Sequence, residues 1–211
     1  MRVYLTLLLI LTIAYAPFPT GFSRIDAPTA HQRITIVGYK RDNFGHGWQR
    51  HATGCTTREH AMAYAFEQPH CEVPYRQWAP VDVLDPYTRK RISPSDVELD
   101  HLFPLSAAWD MGAHAWTDEQ RLQFANDPHN LIVTSRDANQ QKSDMLPSEW
   151  MPSSVPQQCA YARQLARVAT MYGLRVSTSD LRTMRHACRG WRGIAARFAG
   201  IGMFPTANSP R

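Results

Sequence analysis

The stretch that decides the fold is "VELDHLFPL", residues 97–105. It is an apolar run that carries two adjacent ionisable residues, Asp100 and His101, and ends as a strand at Pro104. An apolar strand does not hold such a pair unless something compensates the cost of taking polar groups out of water. The pair therefore marks either an exposed surface or a site.

Working outward, "LSAAWDMGAHAW" and "TDEQRLQFAND" read as helical, the second opening at a cap on Thr117. "NLIVTS" reads as a short strand, and "RDANQQKSD" is polar and helix-compatible. The order is thus Asp100-His101 at a strand end, a helical insertion, Asn130 at a strand start, and Asn139 nine residues later on a short helix. A strand, a returning strand and a crossing helix can bring these four side chains to one spot. A neutral imidazole takes a proton from water near pH 7, so His101 is the natural general base. Asp100 and Asn139 offer side-chain oxygens, which suit Mg²⁺, with Mn²⁺ as a substitute. Asn130 is placed to fix the loop and hold the His101 ring. Arg58, through a bidentate fork, and Lys142, as a point charge, are candidates for holding a phosphate.

Upstream, "RITIVGY" alternates as a strand would, and "TTREHAMAYAF" has Thr56 and Glu59 in capping-box spacing, so a helix is expected from Thr57. "VDVLDPYTRKRI" reads as two short extended runs around a D-P-Y-T turn. Residues 157–199 read as two or three helices, with a cap at Ser177 or Ser179. Trp109, Trp116 and Trp150 are expected in the core.

The 211-residue chain is 44% hydrophobic and 19% charged, a globular composition. Its start, "MRVYLTLLLILTIAYA", has a basic Arg2, an apolar centre and an A-x-A ending, which reads as a secretory signal over residues 1–16 cleaved near Ala16. A loose leader is expected over 17–30, one domain over 31–199 and a tail over 200–211. Export makes Cys55, Cys71, Cys159 and Cys188 disulfide formers, and none makes a C-x-x-C pair, so a zinc ribbon is not expected. Of the three pairings, proximity favours Cys55–Cys71 and Cys159–Cys188, each worth about 3 kcal/mol in a chain-entropy view. From Cys159 onward nine arginines face one acid, Asp180, so a chain of net charge +5 is electrically polarised towards its C-terminal end. Such a patch attracts polyanions, nucleic acid foremost and an anionic membrane surface second, with no stable membrane association expected once the signal is cleaved.

The residues "ELDHLFPL…NDPHNLIVTSRDANQQKSD…EW" resemble the HNH (His-Asn-His) nucleases of the ββα-metal class. They are most similar to a secreted single-domain branch with the C-terminal nuclease domain of GmrSD-type restriction enzymes, over roughly Ile34 to Cys188. The resemblance implies an α+β fold with a ββα-metal core at about 97–143, a helical insertion, N-terminal strand and helix elements and a basic helical segment at about 157–199. It also implies His101 as general base, Asp100 as metal ligand, Asn130 as the middle Asn and Asn139 as the last ligand. Many relatives carry His at that last position, so Asn139 is expected to bind metal more weakly. His129 does not fall at the motif's second His. The function implied is a secreted or periplasmic metal-dependent endonuclease acting on DNA, or RNA, with little sequence specificity. The alternative is a noncatalytic, disulfide-stapled polyanion-binding module. H-E-x-x-H and G-x-S-x-G motifs are absent, which disfavours a peptidase.

Overall fold

The computed structural model describes residues 2–15 and 25–189. The N-terminal segment forms α1 (Arg2–Tyr15), whose apolar side chains from Val3 to Leu11 are exposed. Among the described residues no helix is long and apolar enough to cross a membrane. The decisive stretch becomes β4 (Val97–His101), paired antiparallel with β5 (Leu131–Ser135) in the register Asp100↔Ile132 and His101↔Leu131. Helix α5 (Arg136–Lys142) follows β5 directly, capped by the Ser135 hydroxyl, which accepts from the Ala138 N–H. The strand–strand–helix order read from the sequence is therefore present.

Because side chains alternate across a strand, this ribbon serves two clusters. Val97, Leu99, Leu131 and Val133 pack against Ala61 and Met62 of α2 (Thr57–Ala65) and against Phe66, which caps its C-terminal end. Ile132 belongs with Ala138 to the larger core, whose centre is Tyr161, Leu165 and Val168 of α6 (Val155–Tyr172). Helix α2 begins at the expected residue, with the Thr56 hydroxyl and the Glu59 carboxylate bonded reciprocally to each other's backbone N–H. The D-P-Y-T turn is also present, joining β2 (Val83–Leu84) to β3 (Arg91–Ile92). Burial alone would raise the Asp85 carboxyl, but bonds from Thr134, Tyr87 N–H, Ser135 and Thr88 hold it below the usual carboxylate range.

The insertion holds α3 (Leu105–Asp110) and α4 (Asp118–Asn126), the latter capped at Thr117 as expected. Beyond it, α6 ends at Gly173, whose φ of +63° is the left-handed conformation that glycine adopts without strain. Then come β6 (Val176–Ser177) and α7 (Thr178–Ala187), which opens on a capping box between Ser177 and Asp180. Trp109, Trp116 and Trp150 all pack against the large core, as expected. Both disulfides, Cys55–Cys71 and Cys159–Cys188, are formed as proximity suggested.

Two N-terminal expectations are corrected. "RITIVGY" is not a strand: Ile34 and Val37 are exposed, and the Ile36 N–H bonds to the Asp110 carboxylate rather than to a neighbouring strand. Arg33 reaches Asp110 and Asp144 in the same way, so the extended run is held by side chains. The stretch assigned to a loose leader is partly built in. Ile25 is buried, and β1 (Thr29–Ala30) pairs in parallel with β6. Arg192, Arg197 and Arg211 of the basic segment lie outside the described residues.

Candidate functional site

A cavity of about 420 Å³ is lined by Asp100, His101, Asn139, Tyr39, Arg41 and Asp144, among others. Three of the four expected residues line it. A larger cavity of about 690 Å³ lies around the N-terminal end of α5 and is lined by none of the expected site residues.

Asp100 and His101 are neighbours in a strand, so they leave it on opposite faces. On its side His101 stacks against Trp48, with ring centroids 5.2 Å apart and planes 16° apart. Its Nε2 lies 2.8 Å from the Ala125 carbonyl oxygen. A carbonyl only accepts, so Nε2 carries the proton and donates it. Burial pushes this imidazole down to about pKa 3, with the Arg41 and Lys142 charges acting in the same direction and the Ala125 bond against it. The ring is therefore neutral near pH 7, and its Nδ1 has a bare lone pair.

On the other face Asp100 is fully engaged. Tyr87 Oη donates to Oδ2 at 2.6 Å, and Lys142 Nζ donates to Oδ1 at 3.0 Å while also lying 3.0 Å from Oδ2. Burial drives the Asp100 carboxyl up and the Lys142 ammonium down, and their mutual attraction opposes both shifts. Lys142 also donates to the His101 backbone carbonyl at 2.8 Å and is 0% exposed. Its expected role at a phosphate is corrected: the ammonium is sealed inside, where it neutralises Asp100 and ties α5 to β4.

Asn139 donates from Nδ2 to Glu98 at 2.8 Å, which fixes the amide. Its Oδ1 has no protein partner among the described residues. Asn130 is fully buried and braces the chain after β4, accepting from Phe103 N–H at 2.8 Å and donating to Phe103 O at 3.2 Å. It does not touch the His101 ring, which the Ala125 carbonyl holds instead. Arg58, half-buried on α2, does not line the cavity.

The cation that does line it is Arg41, which sequence reading missed. It opens a short 3₁₀ turn, Arg41–Phe44, anchored by buried Phe44. Gly45 ends that turn at φ +104°, and a Cβ there would lie 2.6 Å from Leu122 Cδ1, so only glycine fits. An arginine in a polar run, far from Asp100 in the chain, carries no local signal of this placement.

The donors fit a hard divalent cation in kind. Asp100 and Asp144 bring carboxylates to the cavity lining, each already engaged by a neighbouring cation, and Asn139 Oδ1 is free of protein partners among the described residues.

An antiparallel ribbon followed by a helix, with a buried carboxylate, a neutral imidazole and a carboxamide lining one cavity, belongs to an α+β domain. Similarity to known proteins makes this specific. Residues 55–181, more than half the chain, match the family of the C-terminal domain of GmrSD restriction endonucleases, and the chain belongs to that family. It is also similar to a protein of Arthroderma benhamiae named an uncharacterized secreted protein, with 32% identity over 192 residues covering 82% of this chain and 91% of that one. No solved structure gives a significant match. The family is of nuclease type, and nucleic acid is the substrate class it implies.

Proposed function

We propose that the protein is a secreted, metal-dependent endonuclease of the HNH, ββα-metal kind, hydrolysing phosphodiester bonds of DNA with little sequence specificity. One observation carries this reading: a neutral imidazole with its Nε2 proton committed to Ala125 shares a cavity with Asp100, Asn139 and the Arg41 cation. His101 accepts the proton of the attacking water at Nδ1. Trp48 and the Ala125 carbonyl keep the ring from turning. Asp100 and Asn139 would hold Mg²⁺, or Mn²⁺, which supplies charge stabilisation at the phosphate oxygens. Arg41 takes the place first assigned to Arg58 and Lys142 and orients the scissile phosphate. Contacts of this kind read the backbone and not the bases. Two disulfides and a relative named as secreted support export, with α1 as the cleaved signal.

The test is plasmid DNA and a structured RNA incubated with Mg²⁺ and with chelator. Nicking that requires the metal is expected. Tight DNA binding without cleavage under Mg²⁺ or Mn²⁺ would establish the noncatalytic module instead. Arg41→Ala should lower kcat/KM by roughly 10–100-fold, the loss of a hydrogen bond to a charged group worth about 1.5–3 kcal/mol. Activity within twofold of wild type would remove Arg41 from the phosphate.

The basic C-terminal third is less uniform than its composition suggests. Arg185 is committed to the Ile25 carbonyl and to Asp26, whereas Arg182 and Arg189 are exposed. Neutralising Arg182 and Arg189 should flatten the dependence of log affinity on log salt, by about 0.9 for each phosphate that is no longer neutralised. Parallel slopes would leave the nucleic acid held at the cavity alone.

A further inference from the structure

Away from the cavity, three potential ligand atoms converge at the start of α2. The Cys55 and Cys71 sulfurs and a ring nitrogen of His60 all lie within 4.8 Å of one another. Cys71 Sγ is 3.9 Å from His60 Nε2, which also meets the Thr53 hydroxyl at 2.7 Å. Tetrahedral zinc, with bonds of about 2.3 Å to sulfur and about 2.0–2.1 Å to nitrogen, sets S···N edges of about 3.6 Å and S···S edges of about 3.8 Å. His60 thus stands near the required distance from Cys71 already. The two sulfurs must separate, which breaking their bond allows, and Cys55 starts within 4.8 Å of the imidazole.

We infer that, when a thiol reductant opens the Cys55–Cys71 disulfide, Cys55, Cys71 and His60 form a site for one zinc ion with water in the fourth position. The reductant gives two electrons and two protons and becomes its own disulfide, leaving two protein thiols. The ion then displaces both thiol protons and binds two thiolates and the neutral imidazole. Two soft thiolates with an imidazole select zinc over the hard cations suited to the cavity. The metal re-closes the 16-residue span that the disulfide closed, so the entrance to α2 stays tied in a reducing medium.

The test uses the full chain, reduced with excess dithiothreitol, desalted without air and titrated with Co²⁺ followed by Zn²⁺. One equivalent of cobalt should give the near-ultraviolet thiolate band and the visible bands of a tetrahedral site, both erased by zinc. The oxidised protein should show neither. Cys55→Ser should lose most of the thiolate band. His60→Ala keeps all four cysteines and should weaken binding by more than about 100-fold, since losing even an outer partner of a ligand costs about 10–100-fold. The inference is overturned if reduced wild type gives no band, if Cys55→Ser retains it (which would place the metal on Cys159 and Cys188), or if His60→Ala binds as tightly as wild type.

Discussion

His101→Ala should lower turnover by ~10²–10⁴ while leaving DNA affinity nearly intact, because a general base acts in the transition state and not in substrate binding. The variant loses the only imidazole that lines the cavity among the described residues while leaving Asp100 and Asn139 in place. Single-turnover cleavage and equilibrium binding, measured side by side, check this. Retention of more than about half the activity would assign the base elsewhere. The same residue makes a pH prediction. Unfolded, the ring titrates near 6.5, but in the fold burial holds it neutral down to about 3. The unfolded chain therefore binds the extra proton first as pH falls. The stability tied to His101 is fully present above about pH 6.5 and is lost progressively as pH drops from there towards 3. His101→Gln should flatten that limb of a plot of Tm against pH. An unchanged acid limb would show that the ring is not buried neutral.

Lys142→Met should destabilise the protein by about 3–5 kcal/mol, the cost of leaving one member of a buried ion pair without its partner. The carboxylate of Asp100 would lose its buried cation, and α5 would lose its tie to the His101 carbonyl. Adding Asp100→Asn to Lys142→Met should recover much of the stability, since no buried charge then remains, while activity stays low because the proposed metal ligand is gone. Urea unfolding of the wild type and the variants separates the possibilities. A lysine serving only as a surface phosphate contact would change stability by no more than about 0.5 kcal/mol, and that result would return Lys142 to the role first read for it.

The contrast between Lys142 and the caps shows what the sequence could and could not convey. Thr56 with Glu59, Thr117 and Ser177 each announce a helix start through bonds made within three residues, so local sequence suffices. The D-P-Y-T turn is legible for the same reason, and the two disulfides follow from proximity. Burial of Lys142 is a long-range outcome. Nothing in "RDANQQKSD" distinguishes it from a solvated lysine until β4 supplies Asp100 and the His101 carbonyl. Arg41 enters the site only because Phe44 and Gly45 lock a turn against Leu122, far along the chain. "RITIVGY" misleads in the opposite sense. Its alternation suits a strand, but Arg33 and Ile36 find Asp110 and Asp144 before any strand partner, and side-chain acceptors satisfy what a ladder would have.

The parallel pair of β1 and β6 bears on the order in which the molecule comes together. Thr29 lies beside Val176, the Thr178 hydroxyl donates to the His31 carbonyl, and Arg185 donates to the Ile25 carbonyl. Each of these contacts joins the beginning of the fold to nearly its end. A chain synthesised from its N-terminus cannot dock Ile25 to His31 until about residue 185 has emerged, and closing so long a loop is entropically slow. The first part of the domain is thus the last to be fastened. Until then residues 25–31 lack the strand, hydroxyl and guanidinium partners that hold them in the finished fold.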